Sequence, residues 1–263
     1  MRYIFDNDLH IHSRLSLCSG DPEQNVNTIL DYAVRERLSR ICVTDHFWDA
    51  DVPGASEWYK KQDYEHIKKS LPLPEANGVR FMFGCETELD MHMTLGISRE
   101  KFDAFDFIII PTTHLHMNGF TCRGDESAKE RAELWVRRFD AVLGMDLPFY
   151  KVGIAHLTCS LMYKQDHDSV LRLIPESEME RLFSRAAKLG VGIELNIPSW
   201  RLGVEPGWDT ETNLKPYRIA KAQGCKFYFG SDAHHPAELL REKENAERII
   251  GLLELDESEK FVL

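Results

Sequence analysis

The sequence predicts an α/β protein built as a seven-stranded (β/α)7 barrel, and two observations predict it. Seven short apolar runs, bounded by turn-formers, alternate with helical patterns along the chain, as buried parallel strands do when helices cover them. Each run also ends on residue types that bind metals: DLHIH on His10 and His12, ICVTDH on His46, FMFGCE on Glu86, FIIIPTTH on His114, VGIAH on His156, GIELN on Glu194 and Asn196, and FYFGSDAH on Asp232 and His234. A parallel barrel gathers the C-terminal ends of its strands on one face, so imidazoles and carboxylates far apart in sequence converge there. An open doubly wound sheet is the alternative topology.

After DLHIH, apolar residues at Val26, Ile29, Leu30, Ala33, Val34 and Leu38 recur at helical spacing and predict a helix over 25–38. A helix over 57–70 is expected after the second strand, ended by the breaker LPLPEANG. The third strand, 79–89, leads to a short helix near 98–102, and the fourth, 105–114, to the longest helical pattern, 125–143. Strand 151–156, helix 177–189, strand 191–196, helix 213–223, strand 226–231 and a terminal helix over 236–253 complete the series. Gly190 and Gly224 stand between a helix and the next strand, where a left-handed residue ends a helix.

At 263 residues the chain suits one barrel domain over 1–263, since such barrels run to about 250 residues, and no repeat or linker divides it. The uninterrupted apolar run from Phe107 to Pro111 is far short of the roughly 18 residues that span a bilayer. The N-terminal MRYIFDND has no apolar signal region, and six singly scattered cysteines without a CxxC pair read as reduced thiols, so a cytoplasmic protein is expected. The net charge of −11 argues against binding duplex nucleic acid, which needs basic patches, but not against an anionic substrate at a cation-filled cleft. Oligomeric state is not readable.

His10 and His12, two apart in a strand, point to one face and can reach one metal. Asp232 and His234 repeat that spacing, although GSDAH also reads as a helix N-cap. Glu86 ends an apolar strand, where a carboxylate is costly unless paired or metal-bound; its two oxygens can bridge two cations. Glu88 is the weaker candidate because it leads into the loop. His46, His114 and His156 would each pass singly for core histidines, but all three end strands. His116 shares a face with His114 as a ligand or proton shuttle, and His235 faces the same cleft. His66, His92 and His167 are read as surface residues.

In order and over almost the whole chain, DLHIHS, TDH, Glu86, His114, AH, ELN and GSDAH make this sequence resemble the PHP family, named for polymerase and histidinol phosphatase. The resemblance implies a distorted, TIM-barrel-like seven-stranded barrel with a trinuclear metal centre. It implies one ion on His10, His12, Glu86 and Asp232, a second sharing Glu86 with His114 and His156, and a third on His46, His234 and the residue six after His12. Many relatives carry histidine there; this chain carries Cys18, whose thiolate suits zinc and which is otherwise a small loop thiol. Two to three divalent ions are expected, zinc first, with iron or manganese as alternatives.

Such a centre predicts hydrolysis of a phosphomonoester of a small metabolite by a hydroxide bridging two cations. Asp232, His116 and His235 are candidates to protonate the leaving alcohol, and Arg123 and Arg201 to grip the phosphate. The alternative is a nuclease or phosphodiesterase on short nucleic acids or nucleotides. Further rivals are a C–N bond metallohydrolase, whose usual bridging lysine is missing because Lys151 and Lys226 begin their strands, and a non-catalytic domain stapled by metals.

Overall fold

The computed structural model describes residues 1–196 and 208–263. The chain runs β1 (Asn7–Ile11), α1 (Val26–Glu36), β2 (Arg40–Val43), β3 (His46–Phe47), α2 (Tyr64–Ile67), β4 (Arg80–Thr87), β5 (Phe107–Pro111), α3 (Ala128–Leu143), β6 (Val152–Ala155), α4 (His167–Leu173), α5 (Glu176–Leu189), β7 (Gly192–Leu195), α6 (Thr210–Ala222), β8 (Lys226–Phe229) and α7 (Glu242–Leu253). Every strand pairing is parallel, in the order β1-β2-β4-β5-β6-β7-β8, with β3 beside β4.

β2 and β3 are one strand interrupted: Arg40 faces Arg80 and His46 faces Glu86, the same register on both sides of the break. The break falls at Asp45, whose carboxylate accepts the amides and hydroxyls of both Ser13 and Ser16. The architecture is thus the expected seven-stranded barrel. It is nearly closed: His12 N donates to Ala233 O at 3.0 Å and Asp232 N to His10 O at 2.7 Å. Below them the seam between β1 and β8 is finished by side chains, with Phe229 N donating to Asn7 Oδ1 and Ser231 N to Asp8 Oδ1.

Two apolar layers follow from strand alternation. The inner one takes Leu9, Cys42, Met82, Phe107, Ile109, Ala155 and Tyr228 from six strands, with Phe261 of the C-terminal segment added. Tyr228 fits because β6 and β7 offer Gly153 and Gly192, where any Cβ would fall within 3 Å of its ring. The outer layer packs the opposite strand faces against the helices. Helix ends follow local chemistry: Ser127 and Glu130 form a capping box on α3, and Gly190 closes α5 at φ +76°. Gly224 has φ +84°.

Two expectations need correction, and one helix was not expected. The helix expected over 57–70 is a pair of single-turn 3-10 segments around a one-turn α2, because Asp63 caps a new start inside it. α4 lies in a stretch too short and mixed in pattern to predict. His167, read as a surface residue, is buried there, with Nε2 3.1 Å from Asn213 Oδ1. All six cysteines are free, and among the described residues no helix is long and apolar enough to cross a membrane.

Candidate metal centre

His10 and His12 leave the end of β1 on one face, with their Nε2 atoms 3.1 Å apart. Glu86, near the end of β4, meets them: its Oε2 is 3.6 Å from His10 Nε2, 3.4 Å from His12 Nε2 and 2.8 Å from His46 Nδ1. Its other oxygen is 3.3 Å from His156 Nε2. Asp232 closes the near side, Oδ1 lying 3.1 Å from His12 Nε2 and 3.4 Å from His10 Nε2. The rings of His114 and His156 stack at 4.7 Å, and those of His12 and His234 at 4.1 Å. Three sets of donors hold their ligand atoms within 4.8 Å of one another: His10, His12 and Glu86; Glu86, His114 and His156; and His12, His46 and His234.

The imidazoles are aimed by their outer nitrogens. His10 Nδ1 donates to Glu194 Oε1 at 2.6 Å, His12 Nδ1 to Ser16 Oγ at 2.9 Å, His114 Nδ1 to Glu88 Oε2 at 2.8 Å and His234 Nδ1 to Asp232 O at 2.7 Å. His156 Nδ1 lies 2.9 Å from Thr113 Oγ1. With Nδ1 engaged, each ring presents Nε2 to the common centre, the arrangement by which outer partners set a ligating histidine. Buried at that centre, Glu86 Oε2 and His46 Nδ1 make no hydrogen bond. Unsatisfied donor atoms, borderline nitrogen ligands and a carboxylate between two sets fit divalent transition-metal ions.

The electrostatics agree. Burial alone would raise Glu86, but His46, His10 and His12 outweigh it and hold it well below the carboxylate range; His10, His12 and His234 do the same to Asp232. Against burial, Glu194, Asp232 and Glu86 lift His10 well above its usual value, and Asp232 and Glu86 lift His12 to about 9. Burial, with His156 and His46 adding to it, holds His114 well below, and His234 is pushed down to about 3 by burial and His12. Both imidazoles are therefore neutral at pH 7, the form in which a histidine can bind a metal. Asp232 and His156 carry left-handed backbone, at φ +55° and +28°, a strain that surrounding structure must hold.

A cavity of about 460 Å³ opens beside this cluster, lined by Cys18, His46, Glu86, His114, Asp232 and His234 and also by Trp58, Tyr59, Met117 and Phe120. His116 lines it too, with Nδ1 buried and unpartnered and its pKa pushed down to about 4 by burial and His114. Cys18 lines the cavity but belongs to none of the three donor sets. Burial, Glu86 and Asp232 push its thiol up to about 12.

Two expected residues stand elsewhere. His235 is exposed, 3.7 Å from Asp21, because the chain turns outward after His234. Arg123 is paired with Asp125 and Glu130 on a separate surface groove. Arg201 lies outside the described residues. Among the described residues lining the cavity there is no lysine: Lys151 and Lys226, at their strand starts, donate to Phe102 O and Ser258 O.

Two residues were missed as parts of the site, and a third, Glu194, was read only as a strand-end residue of metal-binding type. Glu88 was set aside as loop-leading, yet it is fully buried, orienting His114 and accepting Arg138 Nη2 at 2.9 Å. Arg138 is wholly buried and also donates to Pro111 O, Thr112 O, Asp90 O and Thr121 O. Glu194 accepts His156 N at 2.7 Å besides holding His10.

Residues 8–198 match the PHP domain family. The chain belongs to that family. That membership makes it a metal-dependent phosphoesterase. Among solved structures it is similar to histidinol phosphate phosphatase of Lactococcus lactis, crystallised with zinc, L-histidinol and phosphate. The TM-score is 0.56, the identity 16%, and the match covers 98% of this chain and 99% of that one, a likeness of fold that extends past residue 198 to Asp232 and His234. No curated protein matches the sequence.

Proposed function

We propose that this PHP protein is a phosphomonoesterase for a small metabolite, working with two to three divalent transition-metal ions, zinc first and iron or manganese as alternatives. Residues of the three donor sets would hold them: His10, His12, Glu86 and Asp232 one ion; Glu86, His114 and His156 the second; His46 and His234 a third, with Cys18 or His12 beside them. The observation that carries the reading is the convergence of these side chains on Glu86 with their outer nitrogens already engaged.

When bound, such ions supply a nucleophile at neutral pH and Lewis-acid stabilisation of phosphoryl charge. Glu86 is the one carboxylate shared between two donor sets, so it fixes their spacing. Asp232, ionised and open to the cavity, is placed to take a proton from the attacking water and return it to the departing alcohol. His116, neutral at pH 7, can orient the leaving oxygen through a ring N–H. The alternative, cleavage of nucleotide diesters, is less well supported, because the described lining has no lysine or arginine to hold a second phosphate.

The test is hydrolysis of p-nitrophenyl phosphate by zinc-reconstituted protein, with and without chelator. Turnover that the chelator removes and zinc restores is expected. Turnover unaffected by verified metal removal, or none at all in fully loaded protein, would overturn the reading.

A further inference from the structure

Beyond the metal cluster the cavity has a second wall, and it is of a different chemistry. Trp48, Tyr59 and Phe120 form a satellite apolar cluster separate from the barrel core, with Trp58 and Met117 packed on it. Its rings interlock: Trp58 meets Tyr59 edge-on at 4.8 Å, and Tyr59 lies 5.5 Å from Phe120. Trp58 is half-buried and stands edge-on to His46, 5.1 Å away, so the aromatic wall begins where the donor set ends. The cluster is assembled from two loops, one after β3 and one after β5, both at the ligand-bearing ends of their strands. A barrel already packed inside and out does not need it for a core.

The polar side of the lining is thin. Its carboxylates are Glu86 and Asp232, both engaged with imidazoles, and the described lining offers no lysine or arginine. Away from the cluster the described lining offers hydrogen bonds from Ser56, Asn118, neutral His116 and the indole N–H of Trp58. Among the described lining residues a polyol would recover little of its lost hydration, and an ammonium would find no free counter-charge. A flat apolar group would replace water against the rings of Trp58 and Phe120, backed by the buried Tyr59, within a volume usual for a small-molecule site.

We infer that this wall binds the alcohol half of the substrate, and that the substrate class is the phosphomonoester of an uncharged aromatic alcohol, with Trp58 as a specificity-determining contact. The inference rests on the phosphomonoesterase reading for the ester, but not for the binding of the alcohol itself. The reaction needs only water: the P–O bond to the aryl or arylalkyl oxygen breaks, the hydroxyl oxygen of water bonds to phosphorus, and the departing oxygen takes up the proton.

The experiment compares kcat/KM of zinc-loaded protein on 1-naphthyl phosphate, glycerol 3-phosphate and phosphocholine, in the wild type, Trp58→Ala and Trp58→Phe at equal zinc content. 1-Naphthol is titrated calorimetrically into each protein. A preference for the naphthyl ester of about tenfold or more is expected, with the naphthyl-to-glycerol ratio falling about tenfold in Trp58→Ala and recovering in Trp58→Phe. Naphthol binding should weaken in step. A preference for glycerol 3-phosphate or phosphocholine, or an unchanged ratio in Trp58→Ala, overturns the inference while the phosphatase reading stands. Naphthol binding that depends on Trp58, with no ester hydrolysed, leaves the pocket assignment standing and overturns the phosphatase reading.

Discussion

Glu86 carries the centre because it is the one carboxylate that two sets share, and its Oε2 has no hydrogen bond of its own. Glu86→Gln keeps the volume and removes the charge between two cations. Turnover should fall below detection, and metal content by at least one equivalent, by elemental analysis of the purified variant. Near-normal turnover would remove Glu86 from the bridge. The residue that keeps the neighbourhood open is Gly230, after β8, where a Cβ would fall onto the Glu194 carboxylate and 2.7 Å from His10 Cβ. Gly230→Ala should displace Glu194 from His10 and weaken zinc binding about 10–100-fold in a competition titration, the usual effect of losing an outer partner. Unchanged affinity would show that Glu194 does not set the ring. Cys18 poses the opposite case, since His12, His46 and His234 make a three-donor set without it. Cys18→Ser should therefore retain the full metal content, and loss of one equivalent would make the thiol a ligand after all.

At the scale of elements, the ligands are held by what lies behind the strands. α3 sends Arg138 inward to bind Glu88 and four backbone carbonyls at the end of β5 and in the loops after β4 and β5, and Glu88 in turn aims His114. Burial raises Glu88 to about 7 even against the Arg138 charge. Arg138→Met leaves a buried carboxylate and several carbonyls without their donor; the variant should lose about 3–5 kcal/mol in denaturant unfolding of the metal-free protein. A loss below about 1 kcal/mol would show that Glu88 adapts by itself. None of this was legible in the sequence, because Arg138 follows Arg137 in an amphipathic helix and reads as a solvated face. What was legible were the apolar runs and their strand-end histidines, for which burial and alternation leave few other arrangements. The break at Asp45 was hidden because its cause is a hydrogen-bonded pocket for Ser13 and Ser16, on another strand's loop.

For the molecule as a whole, the donor sets tie the beginning of the barrel to its end. His10 and His12 leave β1, Asp232 and His234 follow β8, and between those two strands the backbone seam is only partly hydrogen-bonded, with Asn7 and Asp8 side chains filling in. Ions shared by these residues and by Glu86 would add ligand bonds across the seam, beside the two backbone hydrogen bonds that join it at His10 and His12. The unfolded chain has no such preformed sets, so binding free energy becomes folding free energy. At free metal about 100 times the dissociation constant, one site contributes about 2.7 kcal/mol, and each kcal/mol moves Tm by roughly 2–4 °C in a domain of this size. Complete chelation should therefore lower Tm by about 5–10 °C for each occupied site, recovered on returning zinc. The shift should shrink in Asp232→Asn, which loosens the β8 side of the seam. A Tm that does not move after verified metal removal would mean that the barrel is closed by its own hydrogen bonds, and that the cluster serves chemistry alone.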